Sequence, residues 1–179
     1  AISNGDLGAV IIDGNSPTLV SVSATDSTYI VGNAIPITVT WNEAVVNGTA
    51  GNEPKLILSN GATADFTSGT GNASLVFTYT VVEDDDNSPN LSVTSYTGII
   101  ADSAGNTAAQ ASGVLSYPEP VIIDANSPAF VSVVATNNTY KVNQSFEIIV
   151  TWDEAVFVTN TPTLTLSNGA TASYTRGTG

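Results

Sequence analysis

The chain has 179 residues, with 16 acidic and 3 basic side chains, a formal net charge of −13, and no Cys, Met or His. Without His or Cys there is no Ser-His-Asp or Cys-His nucleophile system and no zinc site of the usual ligands. The basic residues Lys55, Lys141 and Arg176 are too few and too scattered for a phosphate-binding face, so nucleic acid is excluded as a partner.

No apolar run approaches the ~20 residues that span a bilayer, so no membrane insertion is expected. No signal-peptide pattern opens the sequence, which leads us to expect a mature or excised region. Charged residues make up 11% of the chain, against about 25% in ordinary globular domains. Ser, Thr, Asn, Gly, Val and Ala replace them. With 42% apolar residues a core is affordable, and no window shows helical spacing, so the expected class is all-β.

In chain order, residues 1–11 align loosely with residues preceding Val121 and are expected to be the last strand of a preceding unit or a linker. Asp13-Gly14-Asn15-Ser16-Pro17 is a linker turn stiffened by proline. Alternation of period two then predicts a strand with Val20, Val22 and Ala24 on one face, and another with Ile37, Val39 and Trp41 on one face. Leu56 and Leu58 lie on a third strand. Ser59-Asn60-Gly61-Ala62 predicts a tight hairpin with positive φ at both Asn and Gly. Leu75, Phe77, Tyr79 and Val81 alternate with Val76, Thr78, Thr80 and Val82. Weaker strands are predicted over 63–67, 91–96 and 109–115. About seven short strands with turns between them fit an antiparallel sandwich of Ig size.

The sequence then repeats. Asp13–Pro17 returns as Asp124-Ala125-Asn126-Ser127-Pro128, and Val39-Thr40-Trp41-Asn42-Glu43-Ala44-Val45 returns as Val150-Thr151-Trp152-Asp153-Glu154-Ala155-Val156. Both are offset by 111 residues. Leu58–Ala64 returns as Leu166–Ala172, offset by 108, which places a short deletion after Glu154. Over 13–45 against 124–156, 19 of 33 positions are identical, so tandem duplication is expected. The predicted organisation is a complete repeat over 12–121 and the first half of a second over 122–179. Both ends fall inside a unit, which is expected of a window on a longer array, or of a half-unit completed by a neighbour.

Trp41 and Trp152 share the phase of the apolar side of their strands, which favours core packing over sugar stacking. Tyr29 and Tyr140 correspond and are expected at the core edge, their hydroxyls reaching backbone partners. In a sandwich, alternate loops gather at opposite ends. Asp13, Asn15, Glu43 and Asp102 are therefore expected at one end. Glu83, Asp84 and Asp86 are expected at the other, beside Asp124, Asn126, Asp153 and Glu154 of the next junction. Carboxylates so gathered repel unless a cation lies among them, and oxygen-only ligands suit Ca²⁺ better than Mg²⁺. The competing reading is of solvated loop acids that favour solubility.

The segments Val39–Val45, Lys55–Ala64, Leu75–Val81, Ile99-Ile100-Ala101-Asp102-Ser103-Ala104-Gly105-Asn106 and Ile122–Pro128 together resemble the tandem Ig-like, cadherin-like repeats of large bacterial surface proteins, such as the stalks of RTX-type adhesins. The resemblance implies a repeated β-sandwich at the cell surface or outside the cell, rigidified by Ca²⁺ at its linkers. It matches Asp13 and Asp124 to the linker Asp, and Asp102 to the Asp of an Asp-x-x-Gly-Asn motif.

The expected function is non-catalytic: an extended stalk whose partners are the neighbouring repeats of the same chain. A second expectation is a filament or sheet of like subunits, with the half repeat completed by a neighbour's strand. A third is a module binding surface glycans. A carboxylate pair such as Asp84 and Asp86 could serve a glycosidase, but nothing suggests a pocket there. Asn-x-Ser/Thr triplets such as those at Asn47, Asn72, Asn137 and Asn143 carry little weight in so Asn- and Thr-rich a chain.

Overall fold

The computed structural model describes residues 12–48, 53–114 and 120–177. Residues 1–11, expected to be a preceding strand or linker, lie outside them. The protein is all-β. Its strands are β1 (Leu19–Ser23), β2 (Ser27–Ile30), β3 (Ala34–Asn47), β4 (Lys55–Leu58), β5 (Thr63–Ser68), β6 (Asn72–Thr80), β7 (Ser92–Thr97), β8 (Ile100–Ala101), β9 (Gly113–Val114), β10 (Val121–Asp124), β11 (Phe130–Ala135), β12 (Ile148–Trp152), β13 (Thr163–Thr165) and β14 (Thr171–Ser173). The chain divides into two compact units between Asn126 and Ser127.

In the first unit one antiparallel sheet runs β1-β3-β6-β5-β4-β7-β9, with β8 added to the far end of β3. The sheet curls until it is nearly closed, for a side chain at Gly113 in β9 would meet Val22 of β1 at 3.4 Å. Strand β5 makes the turn. Asp65 stands opposite Lys55 of β4 and also opposite Thr78 of β6, so the first half of β5 pairs one way and the second half the other.

The core follows the period-two pattern. Ile35, Ile37, Val39 and Trp41 of β3 are buried, as are Leu56 and Leu58 of β4 and Leu75, Phe77 and Tyr79 of β6. Phe66 meets Phe77 edge to face at 5.8 Å. Pro36 is tolerated in β3 because β1 ends at Ser23, opposite Thr38, and leaves that edge open. Trp41 packs in the core as its phase predicts.

Three expectations are corrected. Val20 does not face the core with Val22. The ladder of β1 on β3 slips between Leu19 and Ser21, which turns Val20 outward and leaves Leu19 and Val22 against the core. The Asn60-Gly61 hairpin carries positive φ at Gly61 alone (80°). Gly61 N donates to Leu58 O and Leu58 N to Ala62 O, while Asn60 Oδ1 accepts from Ala62 N, so it is a longer loop closed by one left-handed glycine. Trp152, unlike Trp41, is exposed.

A further strand not anticipated, β10, runs parallel to β2, with Val121 opposite Ser27 and Asp124 opposite Ile30. Its other edge is held by Ile123, which exchanges two backbone hydrogen bonds with Ser88. The loop beneath is fixed by a buried polar chain. Asn60 Nδ2 donates to the Tyr79 hydroxyl at 3.1 Å, and that hydroxyl donates to Asp85 Oδ2 at 2.7 Å. Burial, and then the bond to Asp85, push the Tyr79 hydroxyl up to about 12.

The second unit consists of two hairpins, β11–β12 and β13–β14. Their details match the first unit residue by residue. Phe130 opposes Trp152 with a slip before Ser132, as Leu19 opposes Trp41 with a slip before Ser21. Leu164 opposes Ala172 as Leu56 opposes Ala64. Tyr140 donates to Thr136 O at 3.0 Å as Tyr29 donates to Thr25 O at 2.9 Å.

Replacing Tyr79 by Phe leaves the buried Asn60 Nδ2 without its acceptor and Asp85 Oδ2 with the Val82 amide in place of two donors. It is expected to cost about 1–3 kcal/mol of stability, read from the midpoint of urea unfolding with an unchanged slope. An unshifted midpoint would show that water replaces the hydroxyl freely.

Candidate metal centre

Three segments converge at one end of the first unit. The linker supplies Asp13, whose Oδ1 accepts from Asn15 N at 3.1 Å, a local turn that sets up the buried Pro17. Strand β3 supplies Glu43. Its ladder with β6 is interrupted between Thr40 and Val45, so residues 41–44 are freed from that partner and Glu43 sits where the strand bends. The linker is tied to this bend, because Asn42 N donates to Thr18 O and Thr18 N donates to Asn42 Oδ1 at 2.7 Å.

The third segment is the turn after β8. Asp102 is buried, and its Oδ1 accepts from the amides of Ala104, Gly105 and Asn106 at 2.8, 2.7 and 2.9 Å. Its Oδ2 accepts from Asn106 Nδ2 at 2.7 Å. The same amide donates to the carbonyl of Asp13 at 3.2 Å, which joins the turn to the linker. Gly105 takes φ of 97°, a conformation that only glycine adopts without strain. The Asn106 side chain above all, and then the backbone amides, hold the Asp102 carboxyl below its ordinary range, against the opposing effect of burial.

Carboxylate oxygens of Asp13, Glu43 and Asp102 lie within 4.8 Å of one another. Loss of solvation, and then the negative charges of Asp13 and Asp102, raise the Glu43 carboxyl above its ordinary value. The donor set is all oxygen, which suits a hard cation and not a thiophilic one. Oδ1 of Asp102 is saturated by its three N–H donors, so this residue could offer a cation Oδ2 alone. Asp13 and Glu43 would supply the remaining charge.

The other expected ligands stand elsewhere. Among the described residues no second group of three carboxylates comes within the same distance. Glu83, Asp84 and Asp86 are exposed on the loop after β6, with Asp84 at φ 68°. Asp124 is half-buried at the end of β10, and Asn126 is exposed after it. In the second unit Asp153 Oδ1 accepts from Ala129 N at 2.7 Å, repeating the bond between Asn42 and Thr18, and Glu154 is exposed beside it. Asn15 is placed by its backbone amide. The sequence places Asn42 and Asn106 at this end, but their roles as organising residues emerge only from the structure. The signal for Asn106 was the run Asp102-Ser103-Ala104-Gly105-Asn106, in which an Asx turn from Asp102 to the Ala104 amide is followed by a glycine that turns the chain back.

Compared with models of known protein families, with curated proteins and with solved structures, the chain matches none.

The two shifted carboxyls act oppositely on stability. Asp102 titrates lower when folded, so its contribution is present above its ordinary value and is lost as pH falls through the lower folded one. Glu43 titrates higher when folded, so stability is greatest while it is protonated and declines as pH rises from 4.5 through its folded value. Without divalent cations, Glu43→Gln is therefore expected to raise the melting temperature at pH 7 and to leave it unchanged at pH 4. Equal effects at both pH values would mean that repulsion from Asp13 and Asp102 is not what Glu43 feels.

Proposed function

We propose that the chain is a non-catalytic stretch of tandem Ig-like sandwich repeats, one complete and the first half of a second, from an extracellular or cell-surface stalk of bacterial type, with Ca²⁺ bound where a linker enters a repeat. One observation carries the reading. The duplicated linker Asp is drawn to the end of the repeat, where its oxygens meet those of Glu43 and Asp102 within 4.8 Å. Asp13 belongs to the linker, Glu43 to the body and Asp102 to a distant turn, so an ion there ties the linker to the repeat. It would be held by Asp13, Glu43 and Oδ2 of Asp102, and it would cancel the repulsion that raises Glu43.

The repeat reading is supported by the recurrence of the hairpin registers, the β-slip and the Asn42/Asp153 contact at the sequence offset of the duplication. The stalk reading is supported by the surface. Thirteen of the sixteen acidic side chains precede Ser127, against one of the three basic ones, so neighbouring copies repel. Neighbouring repeats are then the partners of each unit. The glycan reading gains nothing from Trp41, which is in the core, whereas Trp152 is exposed.

A site with free ion a hundredfold above its Kd adds ~2.7 kcal/mol to native stability. The expected result is a melting temperature raised by Ca²⁺ more than by equal Mg²⁺, with the rise abolished in Asp13→Asn and Glu43→Gln. Superimposable melts in Ca²⁺ and chelator would reduce the cluster to solvated acids. For the stalk, small-angle scattering should show a longer maximum dimension in Ca²⁺ than in chelator. An unchanged dimension would remove the mechanical role.

A further inference from the structure

Strand β10 belongs to the core of the first unit but not to its main sheet. Val121, Ile123 and Ala125 face inward and are 0%, 2% and 0% exposed. Among the strands of the described residues, β10 pairs with β2 alone, in a sheet separate from the eight-stranded one. Its second edge is held by the loop over residues 82–91. Ile123 N donates to Ser88 O at 2.7 Å, Ser88 N to Ile123 O at 3.1 Å, and Leu91 N to Val121 O at 2.8 Å. Past the end of the strand, Ala125 N donates to Asn87 Oδ1 at 2.7 Å, and Asp84 N donates to Ala125 O at 3.2 Å. The strand cannot leave without breaking its bonds to this loop.

The loop itself is fixed to the body at two points. Asp85 Oδ2 accepts from the Tyr79 hydroxyl at 2.7 Å and from Val82 N at 3.0 Å, and Leu91 is buried. Next to the first anchor, the exposed Asp84 takes φ of 68°, a region that glycine enters more easily. Such a residue stays there only while its surroundings hold it. Here the bond from its amide to Ala125 O helps to hold it, so departure of β10 relieves the loop. Strand β2 is retained separately. Its end turns through residues 30–33, where Asn33 N donates to Ile30 O, Ile30 N to Asn33 Oδ1, Gly32 N to Val81 O and Val81 N to Asn33 O.

We propose that residues 82–91 are a strap that opens and closes with β10 as one element, while the eight-stranded sheet stays folded. Closed, the strap fixes the exit of the unit at Asn126. Open, residues 121–125 join the linker and their apolar side chains reach solvent. The exit linker therefore has two lengths. The closed one dominates, because it buries Val121 and Ile123. Asn87 is a positioning residue that acts on the whole strand through Ala125. The inference uses neither the cation nor the repeat reading, and it stands or falls apart from them.

The test is native-state amide exchange of the intact chain in chelator, read by mass spectrometry. The amides of 84–91 and 121–125 are expected to exchange through one shared opening, about tenfold or more faster than those of β3 and β6. Asn87→Ala removes an exposed side chain and should speed exchange across both segments about tenfold, with β3 and β6 unchanged. Ile123→Val, made on the strand, should speed the strap and the strand by the same factor, since one opening serves both. A response of Ala125 alone to Asn87→Ala would overturn the strap, because the bond then acts only where it is made. Equal acceleration of β3 and β6 would mean that β10 leaves only when the whole unit unfolds, which removes the two lengths. Different factors in the two segments under Ile123→Val would show that strap and strand open independently, and the coupling is then wrong.

Discussion

Strand β3 is held on both edges at once, by β1 and by β6 over Thr38–Thr40, while its inward side chains fill the middle of the core. This double pairing constrains the rest of the first unit. It fixes which face of β6 is buried, since Phe77 must oppose Ile37, and through β6 it fixes β5, since Phe66 must oppose Phe77. Past Thr40 the ladder with β6 breaks, and the strand bends enough to present Glu43 before it rejoins β8 at Val46. The same strand therefore anchors the core and aims the carboxylate. A slip of one residue would exchange the buried and exposed sets and move Glu43 to the wrong side.

The acidic end of the unit is built in two stages of different cost. Asp102 is buried but satisfied: three amides and one side-chain amide complete its carboxylate, and its charge is stabilised without any ion. Glu43 has no such shell and carries the strain of its two neighbours. The turn is a permanent part of the fold, whereas Glu43 and Asp13 remain responsive to what surrounds them. That division would suit the proposed cation site, whose frame would stand before an ion arrives.

How much of this was legible in the sequence depends on whether the determinant was local. The class, the alternation of β3 and β6 and the burial of Trp41 follow from period two, which every residue in the strand reports. The meeting of Asp13, Glu43 and Asp102 followed from the rule that alternate loops share an end. Val20 was misassigned because a one-residue slip leaves no mark in an alternating pattern. The Asn60-Gly61 turn was misread because a tight and a looser hairpin share the same dipeptide. Strand β10 was invisible as a strand: its pairing with β2 joins residues more than ninety positions apart, and no local pattern announces a parallel partner. The exposure of Trp152 arises from what does not cover it, which its own neighbours in sequence cannot encode.

The position of β10 has a mechanical meaning. It is gripped on both edges, by β2 in parallel and by the segment around Ser88, and Asn87 and Asp84 close on Ala125 just beyond it. A load directed along the chain as it leaves Asp124 runs parallel to this strand. The bonds to β2 and to Ser88 are then strained in shear, and they must rupture together instead of opening one after another like a zip. The first unit is in this respect shaped to resist being pulled from its exit, and its weakest response would be to a force applied across the strand.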